Sequence, residues 1–380
     1  MMAASVTDTA TDESFMAAAL TLGRRHMGQT WPNPAVGALV VRDGQIVGRG
    51  MTKPSGRPHA ETEALQEAGD LARGATLYVT LEPCSHHGLT PPCADAVVAA
   101  GITRVVSALE DPDARVAGRG HARMAAAGID VVTGTLQAEA HRAHLGHILR
   151  VTQGRPMLTL KLAETADGYA AGGDHDPRLM ITGLAANNRV QMWRAFHDAV
   201  MIGVGTAHAD DPLLTVRLPG LERKPWRIVL DTKLSLSLRS RLVSTAQDWP
   251  VLVICGEAAP KDAETALIKA GVHVTRVAIA ADGYLDLAAA LGALAARGLT
   301  RIFSEGGPTV ASHLVRQDLA DEVVIVRAPR PLLRPGVPSL QDAARVALAD
   351  QNHWRPYDVE AAGIDQILRY ERVGACLPVL

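Results

Sequence analysis

Short apolar runs rich in Val, Ile and Leu alternate along this chain with stretches whose apolar positions recur at helical spacing. After a loose segment over 1–12, an amphipathic helix is predicted over 13–27. The apolar run 35–41 then meets Asp43-Gly44, a dipeptide suited to a two-residue hairpin turn, and resumes over 46–51. A helix over 60–68, a strand over 75–80, a helix over 92–100 with prolines at its start and a strand over 104–108 follow. Further elements at 121–127, 130–133 and 138–151 continue the alternation, which predicts an α/β sheet covered by helices. Gln153-Gly154-Arg155-Pro156 is a polar Gly/Pro junction behind a helix and divides the chain into domains 1–153 and 154–380. The second domain repeats the pattern, with strands at 157–162, 199–202, 227–230, 251–254 and 301–303 and helices at 184–196 and 308–315. The longest apolar stretch, 285–296, is too short to span a bilayer and reads as a buried helix.

Composition narrows the picture. The 380 residues suffice for two domains of ordinary size, and 47% hydrophobic content supports two cores. Only 3% of residues are aromatic, so Ala, Val and Leu must fill those cores. A net charge of −2 gives no general attraction to nucleic acid or an acidic membrane, and neither is expected as a partner. The first residues carry Asp8, Asp12 and Glu13 and no apolar run, so no signal peptide is expected. Of the four cysteines, Cys255 and Cys376 are expected as thiols rather than a disulfide, consistent with a reducing cytoplasm.

The other two cysteines belong to the stretch with the most chemistry. It reads Pro-His-Ala-Glu at 58–61 and, after one predicted strand, Glu-Pro-Cys-Ser-His-His-Gly-Leu-Thr-Pro-Pro-Cys at 82–93. His59, Cys84 and Cys93 supply one imidazole and two thiolates, which leaves the fourth tetrahedral position of a zinc ion free for water. Zinc lowers the pKa of such water from 15.7 to about 7. Glu61, two residues from His59, can touch that water without binding the metal, which completes the zinc-deaminase pattern with Glu61 as proton carrier. Helix starts behind His59 and Cys93 would add partial positive charge that favours thiolate and hydroxide. Zinc deaminases more often space their cysteines Cys-x-x-Cys, whereas here a longer loop, 85–92, separates them. A closed structural zinc site would need a fourth protein ligand, for which His86 or His87 is available, and would give Glu61 no role. In the second half Gly203-Val204-Gly205-Thr206 lacks a third glycine at the Rossmann spacing. Ser304–Pro308 joins a predicted strand to a helix, where free N–H groups could hold a phosphate. The residues by themselves go no further there than a nucleotide or phosphate site.

The chain resembles, nearly end to end, the bifunctional deaminase–reductases of bacterial riboflavin biosynthesis. The carriers are Asn-Pro-Ala-Val-Gly at 33–37, Pro-His-Ala-Glu-Thr-Glu-Ala-Leu at 58–65, Thr-Leu-Glu-Pro-Cys-Ser-His-His-Gly at 80–88, Thr-Pro-Pro-Cys at 90–93 and Asp-Pro-Asp-Ala-Arg-Val-Ala-Gly-Arg-Gly at 111–120. In the second half they are Lys-Leu-Ala-Glu-Thr-Ala-Asp-Gly at 161–168, the long run 203–217, Arg-Ile-Val-Leu-Asp-Thr at 227–232 and Glu-Gly-Gly-Pro-Thr at 305–309. The wide cysteine spacing is usual in that family. The resemblance implies a cytidine-deaminase-like three-layer domain followed by a dihydrofolate-reductase-like α/β domain. It implies hydrolysis of the 2-amino group of 2,5-diamino-6-(5-phosphoribosylamino)pyrimidin-4-one, then reduction of the ribosyl group to ribityl by NADPH. By the family pattern Ala163, Met180, Thr206, Asp210, Thr232 and Gly307, Pro308, Thr309, Val310, Ala311, Ser312 and His313 would hold NADPH. Asn33, Arg178, Arg194, Leu214, Arg217 and Glu305 would hold the phosphorylated pyrimidine. The arginines suit a phosphate ester, because guanidinium is planar and always charged. A homo-oligomer, dimer or tetramer, is also expected. Two other functions compete. A deaminase acting on a base in RNA would need a basic surface or stacking aromatics, which the composition does not supply. Alternatively, the second half could bind or scaffold without reducing anything.

Overall fold

The computed structural model describes residues 6–88, 91–173, 176–177 and 179–374. Two compact units emerge, Met1–Gly154 and Arg155–Leu380. Among the described residues no helix is long and apolar enough to cross a membrane.

The first unit runs α1 (Val6–Gly23), β1 (Gly37–Arg42), β2 (Gln45–Met51), α2 (Ala60–Ala68), β3 (Thr76–Val79), α3 (Cys93–Ala99), β4 (Arg104–Ser107), α4 (Arg119–Ala126), β5 (Asp130–Thr133) and α5 (Gln137–Gln153). Its sheet has the order β2-β1-β3-β4-β5; β1 is antiparallel to β2 and β3, and β3, β4 and β5 are parallel. Asp43 and Gly44 both take positive φ (51° and 75°), the backbone that a right-twisted two-residue hairpin requires. One expectation is corrected: the first helix starts at Val6, well before Glu13. The acidic stretch is tied to the sheet, because Asp12 accepts two hydrogen bonds from Arg104 (2.9 and 2.7 Å) and one from the Tyr78 hydroxyl (2.8 Å). Leu39, Val40, Leu77, Val79, Val105 and Val106 contribute side chains from both faces of the sheet to the buried core, which Ala60 and Ala64 of α2 join. A methyl group on Gly50 would lie 1.8 Å from the Ala60 carbonyl oxygen, and one on Gly48 2.1 Å from that of Ala64. Two glycines on β2 therefore let the α2 backbone rest directly on the strand, which fixes the height of the helix start that carries His59 and Glu61.

The second unit runs β6 (Met157–Glu164), β7 (Tyr169–Ala171), α6 (Leu184–Ala195), β8 (Ala199–Gly203), α7 (Val204–Asp210), β9 (Trp226–Leu230), α8 (Arg241–Ser244), β10 (Val251–Gly256), α9 (Lys261–Lys269) and β11 (His273–Val277). It continues with α10 (Leu287–Ala296), β12 (Arg301–Ser304), α11 (Pro308–Arg316), β13 (Glu322–Arg327), β14 (Val337–Pro338), α12 (Asp342–Ala349), β15 (Trp354–Ala362) and β16 (Asp365–Arg372). Nine strands form one sheet in the order β11-β10-β9-β8-β12-β6-β13-β16-β15. It is parallel from β11 to β13, and β16 and β15 add an antiparallel edge. The chain winds outward from β8 through β9 and β10 to β11, then returns to insert β12 between β8 and β6. A crevice opens at such reversals, at the carboxyl ends of the strands.

Candidate active sites

His59 stands at the start of α2 in an extended conformation (φ −72°, ψ 159°), outside the helical hydrogen-bond ladder. Its Nδ1 is 3.3 Å from Cys93 Sγ and 3.8 Å from Cys84 Sγ. The Cys93 backbone N–H donates to Cys84 Sγ at 3.3 Å. A tetrahedral zinc with bonds of about 2.3 Å to sulfur and 2.0 Å to nitrogen puts its donors roughly 3.5–3.8 Å apart, so the spacing fits the ion. Neither His86 nor His87 joins this group among the described residues. Three donors and one free position make a catalytic site rather than a closed structural one. The hydrogen bond from the Cys93 side chain, against burial, holds the Cys84 thiol down to about 4, while the same contact and burial push Cys93 up. Glu61 is buried at 3% exposure. Burial pushes its carboxyl up although His59 pulls it down, so the group suits proton exchange beside the metal.

Cys84 is anchored from behind by Glu82, whose side chain is completely buried. Its Oε2 accepts from the backbone N–H of Asp111 (3.1 Å) and Gly118 (2.9 Å), and its Oε1 from Gly120 (2.7 Å) and His121 (3.2 Å). One carboxylate thus ties the 111–121 segment to the strand exit that presents Cys84. Gly120 packs there so tightly that a methyl group would lie 2.1 Å from the Pro83 carbonyl oxygen. His147 of α5 holds the same segment through Asp111 Oδ1 at 3.0 Å. Glu82 also lies near Glu110 and His121 in a second grouping of metal-type donors, but its oxygens are already filled by N–H groups. Glu82→Gln replaces an acceptor by a donor facing N–H groups, and is expected to weaken zinc affinity about 10- to 100-fold. Chelator competition measures this; unchanged affinity would mean the segment is held by other contacts. Asn33 donates through Nδ2 to the Gly56 carbonyl (2.8 Å) and braces the loop that leads to His59.

In the second unit a cavity of about 1280 Å³ opens over the ends of β6, β8, β9 and β12. Ala163, Met180, Thr206, Asp210, Thr232, Gly307, Pro308, Thr309, Val310 and His313 line it. Ala311 and Ser312 are fully buried instead, and the Ser312 hydroxyl accepts from the Gln341 N–H at 3.0 Å. Arg194, Arg217 and Glu305 also line the cavity, whereas Leu214 is buried outside its wall. Arg178 lies outside the described residues. Arg194 donates to Glu305 from Nε (2.6 Å) and Nη2 (3.0 Å), and to the Thr215 carbonyl from Nη1 (3.1 Å). Burial favours the protonated carboxyl of Glu305, but Arg194, with Lys161 and Arg217 beyond it, holds the group below its usual range. Lys161 lines the cavity from β6, and burial holds its ammonium pKa down despite Glu305. Neither Lys161 nor Glu82 was singled out from the sequence; the one available signal for Lys161 was a cation inside an apolar strand.

A dinucleotide needs close access to backbone, and the cavity provides it. A methyl group on Gly205 would meet nothing within 4 Å, while one on Gly307 would crowd Thr206 Oγ1 at 2.9 Å. The wall at Gly205 is therefore space that a ligand can fill. Gly205→Val is expected to weaken NADPH binding about tenfold or more by occupying that space, with stability changed by only about 0.5 kcal/mol. Fluorescence titration and thermal melts check the two halves of this expectation.

Comparison with known proteins decides the family. The RibD C-terminal domain matches residues 156–355, and the cytidine and deoxycytidylate deaminase zinc-binding region matches 9–109. The riboflavin biosynthesis protein RibD of Escherichia coli is 37% identical over 91% of this chain and 97% of its own length. The chain belongs to the RibD family. Aquifex aeolicus RibD is 36% identical, with 95% of this chain and 98% of the relative covered. A crystal form of Acinetobacter baumannii RibD superposes with a TM-score of 0.84 at 32% identity, covering 96% of this chain and 99% of that one. A Thermotoga maritima structure described as a diaminohydroxyphosphoribosylaminopyrimidine deaminase/5-amino-6-(5-phosphoribosylamino)uracil reductase gives 0.82 at the same identity, with the same coverage of both chains. As in RibD proteins, a cytidine-deaminase-like zinc-binding domain precedes the RibD C-terminal reductase domain, and the chain is a bifunctional deaminase–reductase of riboflavin biosynthesis.

Proposed function

We propose that the first unit hydrolyses the 2-amino group of 2,5-diamino-6-(5-phosphoribosylamino)pyrimidin-4-one and that the second reduces the ribosyl group of its product to ribityl with NADPH. The observation that carries this reading is the convergence of His59, Cys84 and Cys93 beside a buried Glu61 that is not one of the three donors. Zinc held by the three donors supplies Lewis-acid activation of water at neutral pH. Glu61 takes a proton from the attacking water and passes it to the ring nitrogen next to C2, then takes the proton of the new C2 hydroxyl and hands it to the amine, so the C2–N bond breaks, a C2 carbonyl forms and ammonia leaves. Asn33 and the segment tied down by Glu82 keep the surrounding backbone in register.

In the second unit NADPH, when bound, would supply a hydride to C1′ of the ribosyl group while the bond from C1′ to the ring oxygen opens and that oxygen keeps the electron pair. Lys161 faces the cavity with a proton whose release burial favours, and is placed to give it to the sugar oxygen that reduction leaves negative. Arg194 has three of its donor groups engaged by Glu305 and Thr215, so its part is to position that carboxylate. Arg217 remains as the cation for the substrate phosphate. The thiolate ligands require a reducing compartment, which supports a cytoplasmic location. The uncovered edge strand β15, with Val359 exposed, supports assembly into a homo-oligomer. Incubation of the pure protein with the diaminopyrimidinone, with and without NADPH, tests the reading. Ammonia should appear without NADPH, and NADPH should be consumed only after deamination. NADPH oxidation without prior ammonia release would reverse the order; ammonia release without any NADPH consumption would leave the second unit a binding domain.

A further inference from the structure

We infer that Arg227 is a positioning residue of the reductase: from inside the core it fixes the segment 211–217, and with it the place of Arg217 on the cavity wall. The inference rests on the reading of Arg217 as the cation for the substrate phosphate, and says what holds that cation in place. Residues 211–218 lie between α7 and β9 and belong to no helix or strand, so no backbone ladder sets their position. Leu214 takes the left-handed region (φ 54°), which a bulky side chain keeps only where its surroundings impose it. Even so, Leu214, Thr215 and Val216 are buried, and Arg217 is delivered to the cavity.

Side chains take the place of the ladder. Asp211 Oδ1 accepts from the Arg241 N–H at 2.8 Å, and Arg194 Nη1 donates to the Thr215 carbonyl at 3.1 Å. Gln191 Oε1 accepts from the Arg217 N–H at 2.8 Å. The Leu213 carbonyl belongs to Arg227, whose Nη1 donates to it at 3.2 Å and to Thr245 Oγ1 at 2.8 Å. Its Nη2 donates to the carbonyls of Leu242 (3.3 Å), Thr245 (3.2 Å) and Trp249 (2.5 Å). Arg227 is the second residue of β9 and is fully buried. All five contacts are to neutral oxygens. A cation buried without a counter-ion is unfavourable, and an apolar residue of similar volume would serve a central strand better. What guanidinium adds is a rigid fork that grips the Leu213 carbonyl and the 242–249 stretch at once. Lysine, with its donors on a single atom, cannot span both. The fork therefore sets where the chain turns at Leu214, and four residues after the gripped carbonyl the same segment presents Arg217.

Steady-state reduction of separately supplied deaminated substrate by the full-length protein tests this, with KM measured for the substrate and for NADPH. Arg217→Ala should raise the substrate KM about 10- to 150-fold, the usual cost of one charge-assisted contact. Arg227→Met fills similar volume without the fork and should raise it about tenfold, with the KM for NADPH unchanged. Added to Arg217→Ala it should cost nothing more, because both changes then act through one contact. Arg227→Lys, which keeps the charge and loses the fork, should behave like Arg227→Met. Additive effects in the double variant, an equal rise in the KM for NADPH, or a wild-type substrate KM in Arg227→Lys would overturn the assignment. Thermal melts accompany each variant; a second unit that folds in neither Arg227→Met nor Arg227→Lys would make Arg227 a residue of core stability and also overturn it. An unchanged substrate KM in Arg217→Ala would overturn the phosphate reading of Arg217, and the inference with it.

Discussion

Cys84→Ser is expected to strip the zinc and reduce ammonia release to background, while reduction of separately supplied deaminated substrate continues. Serine keeps the shape of the side chain but replaces a thiolate by a hydroxyl that stays protonated near neutral pH and binds zinc poorly. In this protein the exchange also replaces the sulfur that accepts the Cys93 N–H by a neutral oxygen on a shorter bond, so one substitution weakens the hold on two ligands. Metal analysis should give about one zinc per chain for the wild type and close to none for Cys84→Ser. The two half-reactions, assayed apart, should part company. Stoichiometric zinc in the Cys84→Ser, Cys93→Ser double variant would sink the metal assignment, and an equal loss of both activities would show that the two units do not act independently.

Glu61→Gln should leave the zinc in place and collapse deamination by ~10²–10⁴-fold, the usual contribution of a positioned general acid–base group. The amide has nearly the same volume, and the site around Glu61 is closed, so packing should change little. What it lacks is a proton that can leave and return. Zinc content and ammonia release measured on the same preparation separate this outcome from metal loss. Near-normal ammonia release would assign the proton transfer to another group.

The parts of these sites that could be read from the sequence are those whose chemistry is local. His59, Glu61, Cys84 and Cys93 lie in two short segments, and the side-chain types alone call for a soft divalent cation. Glu82 could not be read that way. Its partners are backbone N–H groups of the 111–121 segment, which look alike in every residue type until the fold brings them round one carboxylate. Lys161 was hidden because a lysine in an apolar strand looks like an accident until the cavity appears beside it. The expected start of α1 falls too late because an acidic residue such as Asp12 reads as solvated in the sequence, whereas in the fold Arg104 and Tyr78 bury it. The hairpin of β15 and β16 escaped for another reason. Pro356 and a run of charges interrupt the alternation in β15, which an edge strand tolerates because one side of it has no ladder to complete. The run Glu322–Arg327 carries four apolar residues between two charges and was legible as a strand, but went unassigned.

The place of β12 has a consequence for how the chain is made. During synthesis β6 and β8 emerge long before Arg301–Ser304, yet in the finished sheet they meet only through that strand. A nascent or truncated chain ending before residue 301 therefore leaves β6 without either neighbour, since β13 also comes later, and β8 with one open edge, and pairing across so long a stretch of sequence is slow. Such a fragment is a substrate for chaperones, and for self-association where they are scarce. The crevice that would receive the dinucleotide is then among the last features to form, so the cofactor can stabilise only a second unit that has already closed.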